Sequence, residues 1–82
     1  MSKLPLVKRE RPSPLRQTLA RNIRAQRERL GISQDELAFR ADMHRTNVSA
    51  IERGLRNVSL DNLYFLATAL ETEPHLLVAE AK

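Results

Sequence analysis

Apolar residues recur along this chain at helical spacing, and no stretch alternates with turn signals as a strand would. Leu15, Leu19, Ile23 and Leu30 fall on one stripe and predict a first helix ending at Leu30. Ser13 is placed to cap it, Pro14 suits its first position, and Gly31 ends it in the left-handed conformation. Ser33 and Glu36 have the spacing of a capping box and open a second helix that runs to about Ala41. Leu37, Ala38 and Ala41 form its inner face. Ile32 and Leu37 flank that cap as a hydrophobic staple. The same offset returns at Met43 and Val48 around His44, and at Val58 and Leu63 around Ser59. These signals predict a third helix over 45–53, with Val48 and Ile51 inward and Gly54 closing it. They predict a fourth over 60–70, with Leu63, Leu66, Ala67 and Leu70 inward. Pro74 starts a short fifth helix through about Glu80 that carries Leu76, Leu77 and Val78. The expected fold is all-α: five short helices in one compact domain over 13–82.

Residues 1–12 break the pattern. Pro5 and Pro12, with Pro14 just beyond, interrupt any helix, and Lys3, Lys8, Arg9 and Arg11 repel one another. This segment reads as a flexible basic arm. It is either a solvated tail or an arm that touches phosphates or a minor groove.

Composition narrows the function classes. A chain of 82 residues has room for one small core, which excludes a doubly wound sheet or a barrel. Cysteine is absent, and the two histidines, His44 and His75, lie far apart, so no thiolate or His-rich metal site and no cofactor site is expected. No apolar run exceeds five residues, against roughly 20 for a membrane span. The cytoplasm is the expected location, with no membrane partner and no small-molecule ligand. Charge is lopsided: residues 1–30 carry nine Lys/Arg and two acids, whereas residues 31–82 carry five and eight. A basic balance is one footprint of nucleic-acid binding, and a weak one taken alone.

The link between the second and third helices, Asp42-Met43-His44, is very short. Helices joined so tightly must cross steeply, with small Ala38 where they approach. That is the geometry of a helix-turn-helix, over about 34–53, whose second helix enters the major groove of duplex DNA. The stretch SQDELAFRADMHRTNVSAIERGLRNVSLDNL resembles the phage-repressor and Cro type of helix-turn-helix domain, also called XRE-like. The resemblance covers about residues 16–78. Arg45-Thr46, Val48-Ser49, Ile51-Glu52-Arg53-Gly54 and Arg56-Asn57 look most like the controller proteins of restriction–modification systems. Two positions depart from the family pattern. Asp42 stands where glycine is common, and Asp tolerates a left-handed turn better than most side chains. His44 stands where Ser or Thr is common and is a poor cap, so the third helix is expected to fray or shift at its start.

On the third helix, Arg45, Thr46, Asn47, Ser49, Ala50 and Arg53 occupy the positions left by the inner face. Small residues at 46, 49 and 50 would let the helix backbone approach base edges. Arg45 is the leading base reader, because a guanidinium can bond guanine O6 and N7 together. Thr46 can offer a methyl to thymine or a hydroxyl to phosphate, and Asn47 can read adenine. The resemblance implies base-side roles for Arg45, Thr46, Asn47 and Ser49. It also implies that Gln34 anchors the DNA backbone and that Arg56 and Asn57, beside Arg53, grip phosphates. Each arginine taken singly also reads as a solvated surface charge.

Arg27 lies on the apolar stripe of the first helix, so its charge needs a partner. Glu52, next to Ile51, is the natural one, and the family carries such a pair. Leu76, Leu77 and Val78 cannot all face one side of a short helix, and a core this small is marginal alone. They are candidates for a two-fold dimer interface. A homodimer would set two recognition helices about 34 Å apart on a palindromic operator. The expected function is a sequence-specific, dimeric transcription regulator, an activator or a repressor, with a restriction–modification controller as its narrower form, and not an enzyme. The alternative is an antitoxin-like module that binds a partner protein and regulates its own operon.

Overall fold

A computed structural model describes residues 5–9 and 11–80. The expected arm's residues 1–4, with Lys3, and residue 10 lie outside the described residues, as do residues 81–82 at the end of the expected domain. Five helices follow in order: α1 Leu15–Leu30, α2 Gln34–Arg40, α3 Arg45–Glu52, α4 Leu60–Ala69 and α5 Pro74–Leu77. No strand occurs among the described residues.

Each of the first four helices ends in the same way. The first residue beyond α1, and the second beyond α2, α3 and α4, takes positive φ: Gly31 at 69°, Asp42 at 54°, Gly54 at 73° and Glu71 at 57°. The next residue's N–H then reaches back to a carbonyl of the last turn. Ile32 N donates to Arg27 O at 3.2 Å, Met43 N to Ala38 O at 2.9 Å, Leu55 N to Ala50 O at 3.0 Å and Thr72 N to Ala67 O at 2.9 Å. This is the Schellman closure, which satisfies orphan carbonyls and reverses the chain within two residues. Four such closures let the 63 residues of α1 through α5 fold back on themselves with short links.

The starts are set by hydroxyls. Ser33 Oγ accepts from Glu36 N at 3.0 Å, and Ser59 Oγ accepts from Asn62 N at 3.0 Å. The capping box is only half made, because the Glu36 carboxylate turns to Arg40, 3.0 Å away, instead of back to the cap. Ser13 Oγ accepts from Leu15 N at 3.0 Å, while Pro14 already has helical angles. His44 gives α3 no side-chain cap, yet the helix neither shifts nor starts late, because Asn47 N and Val48 N both bond His44 O, at 3.0 and 3.3 Å.

The core joins Leu19 and Ile23 of α1, Leu37, Ala38 and Ala41 around α2, Val48 and Ile51 of α3, Leu66, Ala67, Ala69 and Leu70 around α4, and Leu77 of α5. Ile32, Met43, Val58 and Leu63, the staple residues, pack against its rim. Leu15 does not join it, and its side chain is exposed. α5 is also shorter than expected. Asn22 of α1 donates its side-chain amide to Leu77 O at 2.9 Å and Ala79 O at 2.8 Å. These bonds tie the end of α5 to α1, and the chain leaves the helix at Val78 rather than continuing to Glu80.

Candidate nucleic-acid interface

The α2–turn–α3 unit is built around its inner surface. Leu37 and Ala38 of α2 meet Val48 and Ile51 of α3, all buried, and the turn over 41–44 is closed by Asp42 in the left-handed region. α1 packs across the back of α3. Between them lies a polar cluster rooted in Glu52, whose side chain is fully buried.

Glu52 is held by three donors. Arg27 Nε reaches Oε2 at 2.6 Å and Arg27 Nη2 reaches Oε1 at 3.0 Å. Gln34 Nε2 donates to Oε1 at 3.1 Å, and Arg24 Nε approaches the same oxygen at 3.5 Å. A third Arg27 nitrogen donates to Ile32 O at 3.0 Å. No buried side-chain polar atom among the described residues is left without a partner. Burial alone would push the Glu52 carboxyl up. The hydrogen bonds from Arg27, Gln34 and Arg24, with the Arg27 charge, outweigh it and hold the group below the usual carboxylate range. The Arg27 guanidinium is correspondingly raised, chiefly by its hydrogen bond to Glu52. One buried carboxylate thus ties α1, the start of α2 and the end of α3 into one unit.

The opposite side of α3 is open. Arg45 and Thr46 are exposed at its N-terminal end. Arg45 Nε lies 3.3 Å from Asp35 of α2, but both side chains are more than half exposed, and a pair in such surroundings contributes little. The guanidinium can leave Asp35 for a base edge at small cost. Asn47 is half-buried, and its amide faces Met43 Sδ at 3.8 Å. Ser49 is half-buried one turn on, and its carbonyl accepts from Arg53 Nε at 3.4 Å. Ala50 differs from expectation. It is 5% exposed and belongs to the inner side, so the open ridge is narrower than spacing alone implied.

Gln34 sits at the first position of α2, half-buried and bonded inward to Glu52. Its amide has a second hydrogen, which leaves it one donor to offer outward. Arg56 and Asn57 are exposed in the loop between α3 and α4. Gly54 ahead of them has φ 73°, where any Cβ is strained, and an added Cβ would also displace the end of the Gln17 side chain of α1. Arg24, on the exposed side of the cluster, was not singled out by sequence pattern. Its spacing of three from Arg27 was the available signal.

The candidate dimer residues divide. Leu77 is 2% exposed and is spent in the chain's own core, so it is not available to a partner. Leu76 is exposed and Val78 half-buried. Beside Leu76, Tyr64 and Phe65 stand exposed on α4, their rings edge to face at 5.7 Å. The sequence counts these two aromatics, with Phe39, toward the small core; all three are exposed instead. Among the described residues there is no cluster of His, Cys, Asp or Glu fit to hold a metal, and no helix is long and apolar enough to cross a membrane.

The helix-turn-helix family model matches residues 23–77, most of the chain. Control protein C.BamHI of Bacillus amyloliquefaciens is 56% identical over 43 residues, 52% of this chain and about half (53%) of its own length. Control protein C.SmaI of Serratia marcescens is 40% identical over 67 residues, 80% of each chain. Among solved structures, the restriction–modification controller protein C.AhdI from Aeromonas hydrophila superimposes with a TM-score of 0.73 at 44% identity, over 76% of this chain and 94% of that one. The controller C.Esp1396I, solved as a tetramer with its natural 35-base-pair operator, gives a TM-score of 0.73 at 29% identity over 79% of this chain and 86% of that one. The chain belongs to the helix-turn-helix family of the XRE-like type, and within it is similar to the controller proteins of restriction–modification systems.

Proposed function

We propose that this chain is a sequence-specific DNA-binding transcription regulator of the controller kind, acting as a homodimer on a palindromic operator. The observation that carries this reading is the open ridge of α3, with Arg45 and Thr46 exposed on a helix whose other side is locked to α1 and α2. Arg45 reads a base, most simply guanine through O6 and N7. Thr46, Asn47 and Ser49 line the approach to neighbouring bases. Gln34, Arg53, Arg56 and Asn57 hold the sugar–phosphate backbone, which sets register and gives salt-sensitive affinity without reading sequence. The domain boundary is placed at residue 13, with the preceding basic arm appended to it, and the working location is the cytoplasm.

The dimer is proposed through the side of α4 and α5 that carries Leu76, Tyr64 and Phe65, while Val78 faces a groove with Leu60 and Leu63 instead. Exposed aromatics next to an exposed leucine are the kind of surface that self-association covers. C.Esp1396I assembles as a tetramer on its operator, and two-fold pairing of this chain would present two α3 ridges one duplex turn apart. The similarity to controller proteins favours this reading over an antitoxin-like module, and the family is a DNA-binding one without an enzymatic role.

The test is selection from a random duplex pool at two salt concentrations, followed by sedimentation of the selected complex. The expected product is a palindromic site bound by an even number of chains. Recovery of no enriched sequence, or of a single half-site bound by one chain, overturns the reading.

A further inference from the structure

The arm does not stand clear of the domain. Arg9 and Arg11 line a groove of about 500 Å³ together with Arg16 at the start of α1 and with Arg56 and Asn57 beyond α3. Leu15, Leu60 and Leu63 supply part of its apolar wall. Four arginines therefore gather on one groove, and among the described residues no acidic side chain lines it. Among the described residues none of the four takes part in an ion pair, whereas Arg24, Arg27, Arg40 and Arg45 all do. Like charges gathered in this way repel, and an anion seated among them relieves that repulsion. The apolar wall explains why Leu15 and Leu60 can stay exposed here, since long arginine stems lie well over such surface while their charged heads stay in water.

We infer that the arm's Arg9 and Arg11, with Arg16, form a second phosphate-binding surface continuous with Arg56 and Asn57, so that the chain grips the DNA backbone beyond the reach of the α2–α3 unit. The inference rests on the DNA-binding reading above and extends it from the α3 ridge to a flank of the operator. The source of the anion is duplex phosphate because the groove begins at Arg56 and Asn57, the loop next to the reading helix. An acidic segment of a second copy is the competing occupant. The surface adds affinity and salt dependence without adding base preference, since phosphates carry no sequence.

The experiment uses the full chain and a duplex selected from a random pool by that chain. Affinity is measured across a salt series for the parent, for the double variant Arg9→Ala/Arg11→Ala, for Arg9→Lys/Arg11→Lys and for Arg45→Ala. Removing two phosphate contacts should make the slope of log affinity against log salt shallower by about 1.8, at about 0.9 per contact on duplex DNA. The selected sequence should stay the same, and protection of the backbone should shorten on one flank of each half-site. The lysine pair should keep the parent slope. Both arm residues are exposed, so an unchanged melting curve is expected for each variant. A double alanine variant with the parent slope and the parent footprint overturns the inference. So does one that keeps the slope but changes the sedimenting species, which would give the groove to a second copy instead. If the parent binds duplex and Arg45→Ala relaxes its preference while the arm variants do nothing, only this inference fails. If the parent binds no duplex at all, the DNA-binding reading fails with it.

Discussion

The two sides of α3 are made of different chemistry and answer to different demands. Val48, Ala50, Ile51 and Glu52 are buried and fully partnered, whereas Arg45, Thr46 and Arg53 are exposed and weakly held. The inner side fixes where the helix lies: apolar contacts set its distance from α1 and α2, and Glu52 sets its rotation through Arg27 and Gln34. The outer side is left free because a reader must exchange its partners for DNA. A helix-turn-helix therefore separates pose from specificity along one helix, and substitutions on the two sides should produce different kinds of defect.

The largest effect should come from the inner side. Glu52→Gln leaves the nearly buried Arg27 guanidinium without its counter-charge, and breaking a buried pair from one side costs about 3–5 kcal/mol. That is a large share of the roughly 5–15 kcal/mol that stabilises a small domain. Denaturant unfolding at neutral pH should show the loss, and an unchanged midpoint would break the assignment of pose to this cluster. Acid should act through the same group. The folded Glu52 carboxyl lies below its ordinary value of 4.5, so the unfolded chain binds the proton more readily. The stabilisation is then complete above the ordinary carboxylate range and fades as pH falls through the lowered folded value. Glu52→Gln should remove this part of the acid sensitivity.

Next in size is Arg45→Ala on the outer side. It should cost about 1–3 kcal/mol of binding and relax preference at one base position, with no change in melting temperature. A stability loss comparable to that of Glu52→Gln would erase the distinction between the sides. Arg56→Ala should sit apart from both. It should weaken all duplexes about equally and reduce the salt slope by about one. If Arg45→Ala and Arg56→Ala gave the same profile across sequences and salt, the division into base reader and phosphate anchor would fall.

Most of the pose was legible from spacing. Helix starts at Ser33 and Ser59, the ends at Gly31 and Gly54, and the juxtaposition of Arg27 with Glu52 all depend on local signals or on a charge sitting on an apolar stripe. What escaped was set by neighbours rather than by period. Leu15 has the right phase but stays exposed, and Ala50 has a polar-side phase but is buried. Asn22 binds the end of α5 from across the molecule, and Leu77 goes to the core while Leu76 does not. The groove joining Arg9 and Arg11 to Arg56 brings together residues more than forty positions apart, which no local pattern encodes.

The smallest effect tests the frame that holds both sides. Four helices close in the same left-handed way, yet only two use glycine, and Asp42 and Glu71 take positive φ with a full side chain. A left-handed residue with a Cβ costs roughly 1–2 kcal/mol, less for Asp, while glycine costs about 0.5–1 kcal/mol in chain entropy. The two nearly cancel at position 42, so Asp42→Gly should change stability by less than about 1 kcal/mol and leave DNA reading untouched. Glu71→Gly should stabilise slightly more, because Glu has no such tolerance and its exposed pairing with Arg40 at 3.4 Å is weak. Gly54→Ala should go the other way: the added Cβ is strained at φ 73° and meets the Gln17 side chain. A marked loss on Asp42→Gly would show that the turn before α3 depends on the aspartate itself, and the rigid inner frame would then extend into the link that aims the reading helix.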